Sequence, residues 1–291
     1  MMKKFLLLVC FSGFISSELI LEITQGTEDP FRVAIIKFNG DNKATSEIDQ
    51  IIKNNLMRSG EFKIFDNDDL LSLPKDEDEI VFNDFRILNI DYLIIGNLIN
   101  ESSNIKAEYK VYDIRKGSKV RSSTVFGIPN KNRQLAHYIS DGIYEEITGI
   151  KGIASTKILY VTQNKDYRLV VADADGKNEQ ILLESSEPII SPSWSPDSKK
   201  VAYVSFETGI AKVFIQDIAS GNREVVIENS SQISSPAWSP DGKFLSLTMY
   251  QDGNAEIYIL NLKNKNLTRL TNHYAIDTES TWSKKGSKIM L

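Results

Sequence analysis

Cysteine and histidine are scarce in this chain. Its 291 residues include one cysteine, Cys10, and two histidines, His137 and His273. One thiol cannot form an intramolecular disulfide, and no Cys-x-x-Cys, His-x-x-x-His or HExxH pattern supplies the clustered ligands of a zinc site. We therefore expect no metal site, and we expect both histidines to have structural roles.

Catalytic and phosphate-binding motifs are also missing. The sequence has no Gly-x-Ser-x-Gly nucleophile elbow and no glycine-rich phosphate loop. The segment 173–176, Asp-Ala-Asp-Gly, could suggest a calcium loop but lacks the later carboxylates and the bidentate glutamate, so a hairpin turn explains it better. No group of residues provides a nucleophile, a base and an oxyanion site together, and we expect neither catalysis nor a cofactor.

Neither sign of charge dominates the composition. Lys and Arg together number 34 and Asp and Glu 39, which gives a net charge of −5. Because there is no basic patch and no arginine-rich run, nucleic acid is not an expected partner. The acidic runs at 66–69 and 75–79 are typical of solvated loops.

The first 17 residues have the pattern of a signal peptide. A basic start at 1–4 precedes an apolar stretch at 5–15, and Ser16 and Ser17 supply the small residues of a cleavage site before Glu18. The apolar stretch is too short by nearly half for a membrane span. With no cysteine after cleavage, the pattern predicts export to a bacterial periplasm.

Three tryptophans, Trp194, Trp238 and Trp282, recur 44 residues apart. The first two lie in nearly identical segments, Ser-Pro-Ser-Trp-Ser-Pro-Asp and Ser-Pro-Ala-Trp-Ser-Pro-Asp-Gly, and the third lies in an eroded copy. In each intact copy, proline and aspartate favour a turn, and a mostly alternating apolar run follows. A period of about 40–45 residues with one tryptophan is the signature of a β-propeller blade, and we expect the indole rings to pack in the core.

Before these repeats, strands alternate with helices. Residues 18–150 therefore predict an α/β domain, and residues 157–291 predict a partial propeller. About three blades fit in the second segment, which is fewer than the four to eight of a closed ring, so we expect further blades beyond residue 291. The predicted strands are 31–38, 62–65, 92–99, 105–114 and 119–126, and the predicted helices begin at the cap Thr45, at Phe82 and at Pro129.

Several segments resemble the TolB family of the Tol–Pal system. They are the expected mature start at 18–26, the junction at 141–152, which is the most specific match, and the two intact tryptophan segments at 191–197 and 235–242. The resemblance extends along the whole chain from Glu18. Lys284-Lys285-Gly286 departs from the family's Pro-Asp turn.

The resemblance implies an α/β domain followed by a six-bladed propeller, in a non-catalytic periplasmic scaffold. In that family the extreme N-terminus binds TolA and the propeller mouth binds the lipoprotein Pal. It also implies a role in outer-membrane integrity and in constriction during cell division, and other outer-membrane lipoproteins are possible partners. No direct membrane span is expected.

Two sets of binding residues follow as expectations. A short β-prone run should be captured by TolA through strand addition, and its residues are Glu18, Leu19, Ile20, Leu21, Glu22 and Ile23. The loops that lead into each tryptophan strand should line the mouth and bind Pal; we call 187–191, 232–235 and 277–279 the mouth loops. Their candidate contact residues are Ser191, Gln232, Ser235, Asp277, Thr278 and Glu279. Thr278 matches a family position implicated in Pal contact, and most of the others could be ordinary turn formers.

One alternative comes from a different functional class. Similar tryptophan repeats occur in the propellers that gate serine peptidases of the prolyl-oligopeptidase kind. Such a protein would carry a hydrolase domain after residue 291. The α/β segment before the propeller and the junction at 141–152 favour the scaffold.

Overall fold

In a computed structural model, the described residues are 29–40, 42–101, 103–228, 232–251 and 253–291. The chain separates into two compact units, which divide between Thr124 and Val125. The expected signal peptide and the expected TolA segment, Glu18 to Ile23, lie outside the described residues.

A five-stranded sheet forms the centre of the first unit, in the order β2-β1-β3-β4-β5. Strand β1 is parallel to β2 and β3, whereas β3 and β4 are antiparallel. The elements are β1 (Phe31–Ile35), α1 (Asn42–Arg58), β2 (Phe62–Phe65), α2 (Phe82–Ile87), β3 (Tyr92–Asn100), β4 (Ile105–Asp113) and β5 (Ser118–Gly127). This arrangement confirms the α/β prediction and the existence of all five predicted strands, although β1 ends at Ile35 and not at residue 38.

The sequence of the parallel strands explains their burial. Strand β1 buries three consecutive residues, Val33 to Ile35, and β3 buries Leu93 and Ile94 beside them. Parallel strands covered on both faces have continuous apolar runs of this kind rather than alternation. Helix α1 buries a stripe at helical spacing, which comprises Ile48, Ile51, Ile52 and Leu56.

Two details of α1 differ from the prediction. The helix begins at Asn42, so Thr45 lies buried inside it and is not its cap. The sequence spacing also predicts Met57 on the apolar face of this helix, but Met57 is 45% exposed and lies outside the buried stripe.

The second unit begins with the end of β5 and with α3 (Asn132–Thr148). Pro129 was predicted to open this helix, but Pro129 and Asn130 form a turn, in which Lys131 N donates to the Ile128 carbonyl at 3.0 Å. The helix ends at Gly149, whose φ of +73° places it in the left-handed region that terminates helices. Helix α3 belongs to the same compact unit as the strands that follow it. The domain boundary expected at residue 150 stays a prediction.

All later elements are strands, and consecutive strands within each sheet are antiparallel. They form a three-stranded sheet, two four-stranded sheets and a two-stranded sheet, which do not close a ring. This confirms the partial propeller. The strands are β6 (Lys157–Gln163), β7 (Tyr167–Asp173), β8 (Gln180–Ser185), β9 (Ile189–Trp194), β10 (Lys200–Ser205), β11 (Lys212–Asp217), β12 (Arg223–Glu228), β13 (Gln232–Trp238), β14 (Phe244–Gln251), β15 (Asn254–Asn261), β16 (Leu267–Arg269), β17 (Thr281–Trp282) and β18 (Ile289–Met290).

The repeated tryptophans lie at the ends of β9, β13 and β17. Trp238 packs against an apolar cluster that includes Val204 of β10 and Leu247 of β14. Trp194 packs against a second cluster around Tyr203. The expected core role of these two rings is therefore confirmed.

A serine hydroxyl organises the turn after each tryptophan. Ser239 Oγ donates to Asp241 Oδ1 at 2.6 Å and accepts from Phe244 N at 2.9 Å. Ser195 makes the same two bonds in the preceding blade. In the eroded copy the acceptor role is kept, since Lys288 N donates to Ser283 Oγ at 3.1 Å. The turn therefore persists without the proline and aspartate that predicted it.

The acidic runs at 66–69 and 75–79 are mostly exposed, as predicted. No helix in the described part of the chain is long and apolar enough to cross a membrane.

Candidate functional site

In three blades, a residue in the left-handed region lies within or just before the strand that ends at the repeated tryptophan, which we call the inner strand. Ser191, Ser235 and Glu279 each lie three residues before a repeated tryptophan and have φ values of +52°, +52° and +54°. This conformation costs an L-residue roughly 1–2 kcal/mol. Its recurrence at the same position of three blades shows that the blade geometry imposes it.

A β-bulge accompanies this residue in the two complete blades. The pairing of β13 with β14 shifts register between Ser234 and Ala237, and the pairing of β9 with β10 shifts at the corresponding place. A bulge bends its strand and changes the direction in which the neighbouring side chains point. Both Ser191 and Ser235 are half-buried there.

The three inner strands are neighbours, because β13 contacts both β9 and β17. Ser191 and Ser235 therefore lie on adjacent strands, and Glu279 lies just before β17. The prediction that all three mouth loops are loops is wrong in part, because 189–191 lie within β9 and 232–235 begin β13, whereas 277–279 do lie in a loop. Gln232, at the start of β13 beside Tyr250, is exposed. The opposite end of each inner strand carries the tryptophan and the serine turn.

Thr278 is exposed on a backbone that is anchored on both sides. Before it, Asp277 N donates to the Ala255 carbonyl at 3.0 Å. After it, Glu279 N donates to Thr248 Oγ1 at 3.3 Å. Asp277 is half-buried, whereas the side chains of Thr278 and Glu279 are exposed. Of the predicted contact residues, Thr278 thus combines solvent access with a fixed position.

A buried carboxylate holds the segment that leads to Thr278. Glu256 is 1% exposed and accepts hydrogen bonds from Thr271 Oγ1 at 2.6 Å, Arg269 Nη2 at 2.9 Å and His273 N at 2.9 Å. The Thr271 hydroxyl is the largest cause that lowers the pKa of Glu256 to about 2. Glu256 was missed by sequence reasoning, although a charged residue between Ala255 and the apolar run Ile257-Tyr258-Ile259-Leu260 is a usable signal.

Asn254 forms a second anchor for the same segment. Its side-chain Nδ2 donates to the His273 carbonyl at 2.7 Å and to the Ala275 carbonyl at 2.8 Å. The ring of His273, predicted to be structural, accepts a hydrogen bond from Ala275 N at its Nδ1, at 3.2 Å. These contacts fix the backbone on both sides of Tyr274.

Family models match both units of the chain. A model described as the TolB beta propeller domain matches residues 144–291, and one described as the TolB amino-terminal domain matches residues 19–120. The chain belongs to the TolB family. A crystal structure of TolB from Acinetobacter baumannii is 33% identical and superimposes with a TM-score of 0.85, covering 92% of this chain and 67% of that one.

Curated TolB relatives agree with this assignment. The Tol-Pal system protein TolB of Alcanivorax borkumensis is 43% identical over 210 residues, which are 70% of this chain and 48% of that protein. The protein of the same name from Hahella chejuensis is 41% identical over 229 residues, or 75% of this chain and 53% of that protein. The chain spans about half the length of the curated relatives it matches.

The junction that resembled the TolB family has a specific structural basis. The carboxylate of Asp141 in α3 accepts hydrogen bonds from Ala154 N at 2.6 Å and Ser155 N at 3.0 Å. A Cβ atom added at Gly152 would lie 2.5 Å from the Asp141 side chain and backbone. Only glycine fits against the helix there, which explains the joint presence of the two residues in the segment.

A charged cluster connects α3 with β7 and the turn after it. His137, Asp173 and Asp175 offer three metal-ligating atoms within 4.8 Å of one another. Arg133 contacts both carboxylates, and Lys157 contacts Asp173, so two cations already balance the two carboxylates. Burial is the main influence that lowers the pKa of His137 and favours its neutral form. The predicted hairpin turn at 173–176 is confirmed, since Gly176 N donates to the Asp173 carbonyl at 2.8 Å.

Proposed function

We propose that the protein is a non-catalytic periplasmic scaffold of the Tol–Pal system. Membership of the TolB family and the names of the curated relatives support this role and favour it over a prolyl-oligopeptidase-like peptidase. In this proposal residues 18–150 form the domain that binds TolA, and residues 157–291 contribute part of the propeller that binds Pal. The scaffold supports outer-membrane integrity and constriction during division.

The proposed TolA contact is the segment from Glu18 to Ile23. Its apolar Leu19, Leu21 and Ile23 alternate with other residues, as strand addition requires. Main-chain hydrogen bonds would supply affinity, and the alternating side chains would supply specificity.

The proposed Pal contact is formed by the mouth loops. The observation that carries it is the exposed Thr278, held between the anchored amides of Asp277 and Glu279. A contact residue on a fixed backbone loses little conformational entropy on binding. The left-handed residues at Ser191, Ser235 and Glu279 support the same surface, because strained conformations cluster at binding sites.

A pair of titrations tests this function. The complete gene product is titrated with a soluble TolA domain and with soluble Pal from the same organism. We expect saturable binding of both, and deletion of residues 18–23 should abolish TolA binding while Pal binding persists. A complete gene product that binds neither partner would contradict the scaffold role.

A further inference from the structure

An unusually exposed aromatic residue lies beside the proposed Pal contact. Tyr274 is 92% exposed, more than any other large hydrophobic side chain in the described residues, and Ile276 is 71% exposed. Exposed aromatic and aliphatic side chains that lie together often mark interaction surfaces. Core packing does not explain this pair, because both side chains are mostly exposed to solvent.

The backbone that carries Tyr274 is fixed. The Asn254 amide bonds the carbonyls of its two neighbours, His273 and Ala275. The backbone N–H of His273 donates to the Glu256 carboxylate, and the backbone N–H of Ala275 donates to Nδ1 of the His273 ring. The His273 ring also contacts the Tyr274 ring, with centroids 4.1 Å apart. Tyr274 is therefore presented on a rigid support, and tyrosine itself has few rotatable bonds to immobilise.

Tyr274 and Thr278 are close enough along the anchored segment to belong to one interface. The Asn254 side chain donates hydrogen bonds to the carbonyls of His273 and Ala275. The carbonyl of Ala255, the next residue of β15, accepts a hydrogen bond from Asp277 N. Four residues of extended chain span at most about 14 Å. A standard interface buries about 800 Å² on each partner, which is a patch wide enough to include both residues.

The charge around this pair defines the partner's chemistry. Two acidic residues follow Tyr274 and Ile276 in the chain. The side chain of Asp277 is half-buried and that of Glu279 is exposed. A partner that covers Tyr274 and Ile276 therefore needs an apolar pocket for these side chains. It also needs cationic groups at the edge of that pocket to complement the two carboxylates. Tyrosine is among the residues that most often dominate interface energies.

We infer that Tyr274, supported by Ile276, is the aromatic anchor by which this protein binds Pal, through an apolar pocket on Pal flanked by cationic side chains. The inference rests on the proposed function and adds a contact residue to it. The segment 273–277 acts as a preorganised platform, and Asn254 is its positioning residue.

Titration of soluble Pal into the complete gene product tests the anchor. We expect Tyr274→Ala to weaken Pal binding at least tenfold, while Tyr274→Phe retains most of the affinity. The thermal midpoint and TolA binding should be unchanged. Tyr138→Ala, which removes a partly exposed tyrosine from α3, is the matched control and should bind Pal like the wild type.

The outcomes separate this inference from the proposed function. If the wild type binds Pal and Tyr274→Ala binds it equally well, the anchor is wrong and the scaffold role stands. If Tyr274→Ala instead abolishes self-association of the gene product, measured by ultracentrifugation, the surface serves a second copy and the anchor is again wrong. If the wild type does not bind Pal, both proposals fail.

Discussion

The indole Nε1 of Trp282 donates a hydrogen bond to the carbonyl oxygen of Ala237, 3.2 Å away, and so connects β17 with the inner strand of the preceding blade. The corresponding Nε1 of Trp238 is buried without a hydrogen-bond partner among the described residues. The two tryptophans occupy equivalent positions 44 residues apart. Their sequence position is thus repeated, whereas their polar contact is not.

This difference predicts unequal effects of the same substitution. Trp→Phe removes similar volume at both positions, but at Trp282 it also removes one of the two side-chain donors to the Ala237 carbonyl, the other being Ser246 Oγ at 3.4 Å. We expect Trp282→Phe to destabilise by about 0.5–1.5 kcal/mol more than Trp238→Phe. Urea unfolding of the two variants measures the difference. Equal midpoints would show that the hydrogen bond contributes nothing to stability.

The serine turns predict a stabilising substitution. Ser198 has φ +57° at the position where Gly242 and Gly286 have +69° and +70°. Because Ser198 is exposed, Ser198→Gly relieves the left-handed conformation without loss of packing. The expected gain is about 0.5–1 kcal/mol, after the larger backbone entropy of glycine is subtracted. At the equivalent position of the next blade, Gly242→Ala should destabilise by about 1 kcal/mol, because alanine is strained at this positive φ. A lower melting temperature for Ser198→Gly would contradict this explanation of the turn.

Asp49 predicts a pH dependence in the first unit. Burial raises the pKa of Asp49 to about 6, against the backbone hydrogen bond from Phe38 N at 3.2 Å. The folded state therefore holds the proton more tightly than the unfolded state. Stability associated with Asp49 is greatest below the ordinary pKa of 3.8 and falls as the pH rises through about 6.

Asp49→Asn tests this linkage, because the amide oxygen can still accept from Phe38 N. We expect the variant to be more stable than the wild type by about 1–3 kcal/mol at pH 7. The two proteins should have similar unfolding free energies near pH 3.5. A constant difference across this range, measured by urea unfolding, would show that Asp49 does not titrate in it.

Glu256 predicts the opposite dependence on pH. Its pKa is lowered to about 2, so its contribution is present above the ordinary value of 4.5 and is lost as the pH falls toward 2. Hydrogen exchange of the amides of His273 and Ala275 should therefore be slow at pH 5 to 7. Glu256→Gln should accelerate their exchange in that range, with Glu224→Gln, an exposed residue of β12, as the control. Unchanged exchange would show that the carboxylate does not anchor the segment.

Much of the fold could be predicted because its signals are periodic. The 44-residue tryptophan spacing predicted the blades, and continuous apolar runs predicted β1 and β3. Helix starts were predicted less well. Thr45 is a preferred cap residue and Pro129 a preferred first-turn residue, but tertiary packing began α1 earlier and α3 later.

The site was less predictable because it depends on contacts between distant residues. The repeated position of Ser191 and Ser235 is visible in the sequence, but their left-handed backbone is not, since serine rarely adopts it. Likewise, Asn254 and Tyr274 are 20 residues apart, and only the fold places the amide beneath the segment that carries the ring. The cluster of His137 with Asp173 and Asp175 forms in the same way, with no motif in the sequence.

The central claim is that the mouth loops bind Pal, and isothermal titration of Pal into the complete gene product carrying Thr278→Arg tests it most directly. Thr278 is exposed on a fixed backbone, so a bulky cation there should obstruct the partner without disturbing the fold. We predict binding at least tenfold weaker than that of the wild type, near 1.4 kcal/mol, with an unchanged melting temperature. Thr268→Arg on β16 is the matched exposed control. Wild-type affinity in the Thr278→Arg protein would contradict the claim and would place the Pal surface elsewhere.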